Sequence, residues 1–404
     1  MRKFTYQAKD LSTGQKVSST VQAESESAAA KLLMEQGFAP KDIKAVDESG
    51  SFIDKINGRI TVKDKVVFTR QLATLLGAGL PLAQSLHTVM EQTENKRLQG
   101  IVEDIITSVE GGKSLTESFS KHEEVFGNVF LALISAGEAS GTLDDALKRI
   151  AAQQEKDAAM MSKIKGAMMY PLIVLIVIVL VVGFMLFTVV PQVEKLYKDL
   201  HQTLPFITQV LVGSAHFAIN FWWVVLLGAI VAGYFLRQYF QTEAGIKVKD
   251  TLKLNVPLFG GMFRTLYMAR MCRTGQTLLM TGVPMLDMLS ISQKAVNNSV
   301  VAASIGRAAE KVKGGKALSV SLKPEEYILS FVPQMISIGE QSGKIDEMMG
   351  KAAQVYEDEL DETIKSISTA IEPILMVVLA IVAGGLVGAI LLPIYGLVNN
   401  VKIG

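Results

Sequence analysis

The sequence predicts a mainly α-helical membrane protein with two repeated cytoplasmic six-helix bundles, three transmembrane helices and a small N-terminal α/β domain. Three observations support this fold class. Three long apolar stretches contain no charged residue, sequence landmarks recur at separations of 202 and 203 residues, and the segments between them have helical periodicity. Together they predict one helical module, present twice and followed each time by a membrane span.

Composition excludes several classes of protein. The chain has 404 residues, of which 49% are hydrophobic, and its net charge is +1, so we expect no nucleic-acid partner. Its single cysteine, Cys272, forms no intrachain disulfide, and its four histidines are too scattered to suggest a metal site. The first ten residues lack the apolar region of a cleavable signal peptide.

Three stretches have the length and composition of membrane-spanning helices. Residues 172–190 are almost wholly aliphatic, 217–236 contain no Asp, Glu, Lys or Arg, and 374–398 are also free of charge. The third stretch carries Gly384, Gly385 and Gly388, small residues that favour close helix packing. Three buried core helices are the alternative, but such helices are usually shorter and carry a polar stripe.

The distribution of Lys and Arg predicts the orientation of the spans, because cytoplasmic flanks carry the excess of basic residues. The basic residues on the side of the two modules are Lys156, Lys163, Lys165, Arg237, Lys247, Lys249, Lys253 and Lys365. The opposite side has only Lys195, Lys198 and Lys402. We therefore expect a multi-pass protein of the bacterial inner (cytoplasmic) membrane with its N-terminus in the cytoplasm.

This orientation divides the chain into nine segments. They are 1–47 (small N-terminal α/β domain), 48–61 (linker), 62–170 (first helical module), 171–191 (first span), 192–216 (outside loop), 217–236 (second span), 237–372 (second helical module), 373–398 (third span) and 399–404 (outside tail). In the first segment, 4–9 and 17–23 are predicted strands, 25–36 a helix and 42–46 a third strand.

The repeat is visible in short motifs that keep their order. GAGLPL at 77–82 returns as TGVPML at 281–286, and EGGKSL at 110–115 returns as KGGKAL at 313–318. Glycine and proline at these places predict turns between helices. The predicted module turns are Gly79, Pro81, Gly111, Gly112, Gly282, Pro284, Gly314 and Gly315. In the first module we expect helices at 64–76, 82–92 and 98–109, a short one opened by Ser114, another at 125–136, and a long final helix.

A pair of GExSG motifs gives the strongest candidate sites. Two interpretations are open for them: a corner that contacts a partner, or a structural cap in which the glutamates accept backbone N–H groups. The residues concerned are Gly137, Glu138, Gly141 and Asp144 in the first module, and Gly339, Glu340, Gly343 and Asp346 in the second.

Two further motifs are weighed against simpler explanations. Residues 111–114, GGKS, are similar to the end of a phosphate-binding loop, but the upstream glycine is missing and a helix precedes them, so a helix–helix turn is the better interpretation. Tyr170–Pro171 and Glu372–Pro373 stand where the first and third spans enter the membrane. The carboxylate of Glu372 there is either in interfacial water or paired with a basic group.

Taken together, these motifs resemble the inner-membrane platform proteins of type IV pili and type II secretion systems, the PilC/GspF family. The similar segments include 68–82, 273–286, both GExSG motifs, NVPLFGG at 255–261 and LPIYGLV at 392–398. The resemblance implies a role in assembly rather than catalysis, with no cofactor. Some members carry an acidic metal-site pattern in the long helix, but Lys148 and Ala152 stand at those positions here, so no metal is expected.

The resemblance also implies partners. These are a hexameric cytoplasmic assembly ATPase, pilin or pseudopilin subunits, other inner-membrane assembly proteins and membrane lipid. The chain is also expected to form a homo-oligomer, with a dimer favoured over a trimer. The machine is a type IV pilus or, alternatively, a type II secretion pseudopilus. A small membrane transporter is a different class, which would need ionisable residues inside the spans, and the sequence places none there.

Overall fold

The computed structural model describes residues 2–10, 16–23, 34, 38–45, 59–199 and 206–400. At the N-terminus, the strands β1 (Arg2–Asp10), β2 (Lys16–Ala23) and β3 (Phe38–Ala45) form an antiparallel sheet in the order β2-β1-β3. The third strand begins four residues earlier than the sequence predicts. Apart from Met34, the predicted helix at 25–36 lies outside the described residues, as does most of the linker at 48–61, so the α/β character of this domain stays a prediction.

The first module begins with a capping box. The Thr61 hydroxyl accepts the N–H of Asp64, whose carboxylate accepts the N–H of Thr61 at 2.8 Å. The helices that follow are α1 (Val62–Gly77), α2 (Leu82–Gln92), α3 (Lys96–Glu110), α4 (Leu115–Ser120), α5 (Glu123–Phe126) and α6 (Asn128–Ser140). The predicted helix at 125–136 is therefore wrong at both ends, because Gly127 separates two helices and the second continues through Gly137 to Ser140.

The last helix of the first module continues without a break into the first apolar stretch. Helix α7 (Leu143–Phe184) contains Pro171 and is followed by a π-helical segment, Met185–Val189, and by α8 (Val190–Asp199). Residues 192–199 of the predicted outside loop at 192–216 are therefore helical, and so are 206–216, which belong to the next helix. Helix α9 (Phe206–Tyr239) contains the second apolar stretch and bends at Phe221, whose φ and ψ are −116° and 16°.

The second module has the same helix order, except that one helix is added at its start and the short α5 has no helical counterpart. After α10 (Glu243–Asn255) come α11 (Gly260–Met280), α12 (Met285–Ala295), α13 (Ser299–Lys313), α14 (Leu318–Leu322), α15 (Phe331–Ser342) and α16 (Ile345–Asn400). Helix α11 corresponds to α1, and α16 to α7. The added helix α10 is joined to the bundle by Asp250, whose carboxylate accepts the N–H of Ser299 at 2.8 Å.

The predicted turns between helices adopt matching backbone conformations in the two modules. Gly112 and Gly315 have φ of 85° and 86°, values that glycine adopts without a steric penalty. Pro81 and Pro284 immediately precede α2 and α12, with ψ of 143° and 147°. The short motifs therefore produce the same turn twice.

Each module has its own core, and a third apolar cluster joins the two. In the first module, Phe119 packs on Phe126 and Phe130 with ring centroids 4.7 and 4.9 Å apart. The joining cluster, drawn from α7, α11 and α16, consists of Met160, Ile164, Met262, Leu266, Leu360, Ile364 and Ile367. Burial of each such side chain contributes about 1.5–3 kcal/mol. The two modules thus pack against each other through a shared apolar cluster.

Among the described residues, two helical segments are long and apolar enough to cross a membrane, Leu143–Asp199 and Ile345–Gly385. Their apolar side chains face outward: Leu180 is 66% exposed and Ile381 69% exposed. Helix α9 also exposes apolar side chains, among them Phe217 and Leu226, but many of its other side chains are not described. Its crossing of the membrane stays a prediction.

Candidate functional site

The two GExSG motifs form equivalent junctions between a module's penultimate helix and its long last helix. Gly141 ends α6 with φ of 72°, and Gly343 ends α15 with φ of 71°. The N–H of the following residue bonds back to the carbonyl of Gly137 or of Gly339, at 2.9 Å in both cases. Gly137 and Glu138 therefore lie in the last turn of α6 and not in a loop.

The glutamate of each motif caps the short helix of its own module. Glu138 accepts the N–H groups of Leu115 and Thr116 at 2.7 and 2.9 Å, and the Thr116 hydroxyl at 2.7 Å. These donors open α4, whose first N–H groups have no partner within the helix. A carboxylate at a helix N-terminus is also favoured by the helix dipole.

The second module repeats this cap with equivalent residues. Glu340 accepts the N–H groups of Leu318 and Ser319 at 2.6 and 3.2 Å, and the Ser319 hydroxyl at 2.5 Å. The position that holds Thr116 in the first module thus holds Ser319, and either residue supplies the hydroxyl donor. The sequence predicts acceptance of backbone N–H groups by these glutamates, but it does not reveal that the donors belong to a helix more than 20 residues away.

The cap affects the protonation of the first glutamate. Partial burial acts to raise the pKa of Glu138, but the hydrogen bonds from Thr116 and Leu115 outweigh it and hold the pKa below its ordinary value. Glu138 is therefore an anion at neutral pH, and its charge is directed at α4. Its carboxylate is already engaged in three hydrogen bonds before any partner approaches.

The first glycine of each motif is required by close helix packing. A Cβ at Gly137 would lie 2.5 Å from the Cβ of Ala146, and one at Gly339 would lie 2.7 Å from the Cα of Ile345. In the first turn of α7, Asp144 pairs with Lys148 at 3.1 Å. Asp346 occupies the same turn of α16, where its negative charge interacts favourably with the positive end of the helix dipole.

A second group of charged residues, which sequence reasoning missed, lies between the modules. Arg273 donates two hydrogen bonds of 2.7 Å to the carboxylate of Glu357, and Lys156 reaches that carboxylate from the first module at 3.1 Å. A second ion pair, Lys163 to Asp361 at 2.5 Å, also joins α7 to α16. These bonds fix the position of one module on the other.

The repeat itself carried a signal for this group. Arg70 and Glu155 stand 203 and 202 residues before Arg273 and Glu357 and form the equivalent ion pair in the first module. Comparing charged residues at the repeat spacing would have found both pairs. Their surroundings differ, because Arg70 is 66% exposed while Arg273 is 14% exposed beneath α7.

The residues predicted at the membrane surface lie within continuous helices. Tyr170 and Pro171 are inside α7, and Glu372 and Pro373 are inside α16. Tyr170 is 55% exposed, and Glu372 is also exposed, with no basic side chain bonded to it among the described residues. Neither proline ends its helix, so each module is joined to its apolar segment by unbroken α-helix.

The described residues contain no group of three or more His, Cys, Asp and Glu side chains placed to hold a metal ion. In the GGKS segment, Lys113 pairs with Glu117 at 2.8 Å, and Ser114 caps α4 by accepting the N–H of Glu117 at 3.0 Å. The fold and these contacts define a helical scaffold with two long apolar segments, in which each module repeats the same cap.

Comparison with known proteins identifies the family. The model of type II secretion system protein F matches residues 68–191 and 271–393, and the model of that protein's N-terminal domain matches 1–44. The chain therefore belongs to the type II secretion system protein F family, and the two matches confirm the internal repeat. Members of this family are structural platform components, so the chain is not an enzyme.

Individual relatives come from both kinds of machine. The chain is 35% identical to the type IV pilus assembly protein PilC of Thermus thermophilus, over 99% of each chain. It is 38% identical to the PilC of Myxococcus xanthus, over 85% of this chain and 83% of the relative. It is 32% identical to type II secretion system protein F of Xanthomonas campestris, over 98% of this chain and 99% of the relative.

Proposed function

We propose that this chain is the inner-membrane platform of a type IV filament machine, coupling a cytoplasmic hexameric ATPase to the insertion of pilin subunits into a growing pilus. The observation that carries the proposal is the continuity of α7 and α16. Each begins at a GExSG junction inside a module and continues as one helix into an exposed apolar segment. A movement imposed on the modules would pass along these helices to the membrane without a flexible joint.

The packing of the two modules supports the same role. The cluster around Ile164, Leu266 and Leu360 and the ion pairs to Glu357 and Asp361 hold α7 and α16 side by side. A torque applied to either module would therefore act on both helices together. In this proposal the apolar segments contact the stems of pilin subunits and the surrounding lipid. Other inner-membrane assembly proteins bind at the periphery of the platform.

The distribution of basic residues supports a topology with both modules and the N-terminus in the cytoplasm. Under this topology, α9 is the returning span that brings the second module back to the side of the first. The ATPase then meets the modules on their membrane-distal side. The exposed residues Ala139 and Ser140, next to the cap of Glu138, are the candidate contact in the first module. The equivalent candidates in the second are Gln341 and Ser342.

Self-association is supported by a difference between the modules. The face around Arg273 and Glu357 is covered by α7, whereas the matching face around Arg70 and Glu155 is open. A second copy of the chain could cover that open face as the first module covers the second. We propose that the chain forms a homo-oligomer through this face, and that a dimer is favoured over a trimer.

Within the family, we propose a pilus rather than a secretion pseudopilus. The pilus proteins of Thermus thermophilus and Myxococcus xanthus are 35% and 38% identical to the chain, against 32% for the secretion protein of Xanthomonas campestris. The margin is small, so an experiment must separate the two machines. A transporter would need charged side chains inside its spans, and residues 172–190, 217–236 and 374–398 contain no Asp, Glu, Lys, Arg or His.

Deletion of the gene in the source bacterium tests the assignment. We expect surface filaments to disappear while pilin accumulates in the inner membrane, and secretion of folded exoproteins to continue. Loss of secretion with normal filaments would instead assign the chain to a type II secretion system. Normal filaments and normal secretion would refute a platform role in either machine.

A photo-crosslinking amino acid at Ala139 tests the contact with the ATPase. We expect a covalent product with the ATPase from this position in intact cells. The matched control carries the same amino acid at Gly100, which is on α3 and has open space around it. Equal products from both positions would mean that the crosslinks report random collisions rather than docking.

A further inference from the structure

A cavity of about 320 Å³ lies between the two modules. Its wall is formed by the start of α1, the turn between α5 and α6, one face of α7, and residues of α11 and α12. This volume lies at the lower end of the range typical of small-molecule sites, about 300–1,000 Å³. Because both modules contribute to the wall, any occupant would contact both.

One buried amide in this wall has an unused acceptor. Gln153 on α7 is 8% exposed, and its Nε2 donates to the hydroxyl of Thr274 on α11 at 3.0 Å. Its Oε1 has no hydrogen-bond partner among the described residues, and neither has Oε1 of the neighbouring Gln154. Since more than about 90% of buried polar groups in folded proteins are hydrogen-bonded, these acceptors indicate a donor that occupies the cavity.

A guanidinium in the same wall has unused donors. The side chain of Arg270 is 16% exposed and makes no hydrogen bond within the described part of the chain. Its nearest charged neighbour is Asp157, with 3.7 Å between Nε and Oδ1, which is beyond hydrogen-bonding distance. Arginine carries five N–H donors in a fork that suits phosphate and carboxylate groups. A largely buried guanidinium with unused N–H donors can bind an anion in the cavity.

The remaining charges of the cavity also favour an anion. Lys65 and Lys294 line it with Arg270, and Asp157 is the only acidic residue among those that line it. Lys65 donates to the carbonyl of Val125 at 2.8 Å, which holds its ammonium group beside the cavity. Helix α6 starts at the same wall, with Gly127 before it and no side-chain cap, so the positive end of its dipole lies at the cavity.

Apolar residues line much of the remaining wall, among them Val62, Val66, Leu133 and Ile150. Inorganic phosphate alone would leave this surface against water, whereas an organic anion would cover it. The cavity therefore combines three cationic side chains, two free amide acceptors and apolar surface.

We propose that the cavity between the modules binds a small organic anion whose phosphate or carboxylate group is held by Arg270, Lys65 and Lys294. A hydrogen-bond donor of the ligand satisfies Gln153, and its apolar part covers the side formed by Val62 and Val66. The ligand holds residues of both modules at once, so its binding strengthens their packing and stiffens the connection between α7 and α16.

Thermal unfolding of the purified full chain in detergent micelles tests the proposal. The probes are phenyl phosphate, benzoate, inorganic phosphate and phenol. We expect a saturable rise of about 2–5 °C in the unfolding midpoint with one or both organic anions, a smaller rise with inorganic phosphate and none with phenol. Comparison of phenyl phosphate with benzoate shows which anionic group is preferred. If none of the anions raises the midpoint, the cavity holds only water and the proposal is wrong.

Variants locate the binding. Arg270→Gln should abolish the rise. The change also leaves the partly buried carboxylate of Asp157 without its cationic partner, so the midpoint without ligand should fall, and circular dichroism at low temperature checks that the variant is folded. Lys294→Gln, an exposed change at the rim, should weaken binding severalfold without affecting folding. Lys313→Gln is the charge-matched control outside the cavity and should bind normally. A full rise in both Arg270→Gln and Lys294→Gln would place the binding elsewhere.

Discussion

Arg273 and Glu357 form a bidentate ion pair beneath helix α7, with both hydrogen bonds at 2.7 Å and side chains only 14% and 12% exposed. The equivalent residues of the first module, Arg70 and Glu155, also pair but remain accessible, with 66% and 29% exposure. The same Arg–Glu pair therefore occurs in both modules, buried in the second and accessible in the first. The difference arises because α7 of the first module covers the pair in the second, whereas no described residue covers the pair in the first to the same extent.

This difference predicts unequal effects of the same substitution. Glu357→Ala leaves a buried guanidinium without its carboxylate and should lower the free energy of unfolding by about 3–5 kcal/mol. In the monomeric chain, Glu155→Ala removes a solvent-screened pair and should change the free energy of unfolding by about 0–1 kcal/mol. Thermal unfolding in detergent micelles, followed by circular dichroism, measures both. Equal losses in the two variants would show that the open face of the first module is buried in the purified protein.

The glycines of the junctions predict a steric effect. Gly137→Ala should lower the free energy of unfolding by about 1–3 kcal/mol, because the added Cβ would lie 2.5 Å from the Cβ of Ala146. Gly166→Ala is the matched control on α7, since nothing lies within 4 Å of a Cβ there. That change should stabilise the helix by up to about 1 kcal/mol. A neutral Gly137→Ala variant would mean that α6 and α7 can separate without cost.

The parts of the fold that depend on local chemistry were predictable from the sequence. Gly112 and Gly315 form turns, and Pro81 and Pro284 precede helices, because the conformational limits of glycine and proline act within a few residues. The internal repeat was equally visible, since it needs only a comparison of the chain with itself. The family match at 68–191 and 271–393 confirms it.

The parts that depend on contacts between distant segments were not predictable in this way. The sequence shows an acidic residue at Glu138, but the helix it caps begins 23 residues earlier, at Leu115. The predicted helix end at Ala136 is wrong because Gly137 is favoured inside the helix by contact with Ala146, which periodicity does not reveal. Likewise, the apolar stripe of α7 could have faced its own module alone, and its packing against α11 and α16 required the structure.

The cap on α4 predicts a dependence on pH. Because the pKa of Glu138 lies below its ordinary value of 4.5, its contribution to stability is fully present above that value and is lost as the pH falls through the lowered pKa. Glu138→Gln should therefore lower the unfolding midpoint at pH 7, and the gap from the parent chain should close as the pH falls below 4.5. Midpoints measured from pH 7 to pH 3 check this. A constant gap across that range would assign the loss to shape rather than charge.

Substitution of Glu138 and Glu340 distinguishes a structural role of the GExSG motifs from a role in contacting a partner. Loss of a capping carboxylate typically costs about 1 kcal/mol, and the third hydrogen bond adds to that figure. A domain stability of about 5–15 kcal/mol should tolerate the loss, so Glu138→Ala and Glu340→Ala should both reach the membrane. If the two modules occupy different places beside the ATPase, only one variant should lose filaments. Membrane fractionation and filament counts distinguish the cases, and disappearance of both variants from the membrane would leave only the structural role.

The proposed topology can be tested with reporters. Alkaline phosphatase, which is active only outside the cytoplasm, should be active when fused after Lys402 and silent when fused after Gln241. The distribution of Lys and Arg along the spans is the reason for this expectation. Immunoblots of both fusions control for expression. The reverse pattern would mean either that the whole chain is inverted or that α9 does not cross the membrane. Activity at both sites would mean that neither α9 nor the third span crosses.

The continuity of α7 predicts that a flexible joint near the membrane uncouples the machine. Met168 and Met169 are 48% and 53% exposed, so both can be replaced without disturbing the core. Replacement of both by glycine should weaken the helix there by about 2 kcal/mol relative to replacement of both by alanine, because each glycine costs about 1 kcal/mol more in a helix interior. The two double variants lose nearly the same side-chain contacts and differ mainly in helix stiffness.

We therefore expect the glycine pair to insert in the membrane and to retain the ATPase crosslink from Ala139, yet to assemble few or no filaments. The alanine pair should assemble filaments at the parental level. Filament counts by electron microscopy, normalised to the amount of chain in the membrane, provide the comparison. If both variants assemble filaments equally well, the unbroken helix does not transmit the movement, and coupling must pass through contacts between the ATPase and another membrane component. If both fail equally, the methionine side chains themselves contact a partner, and stiffness is not the property that matters.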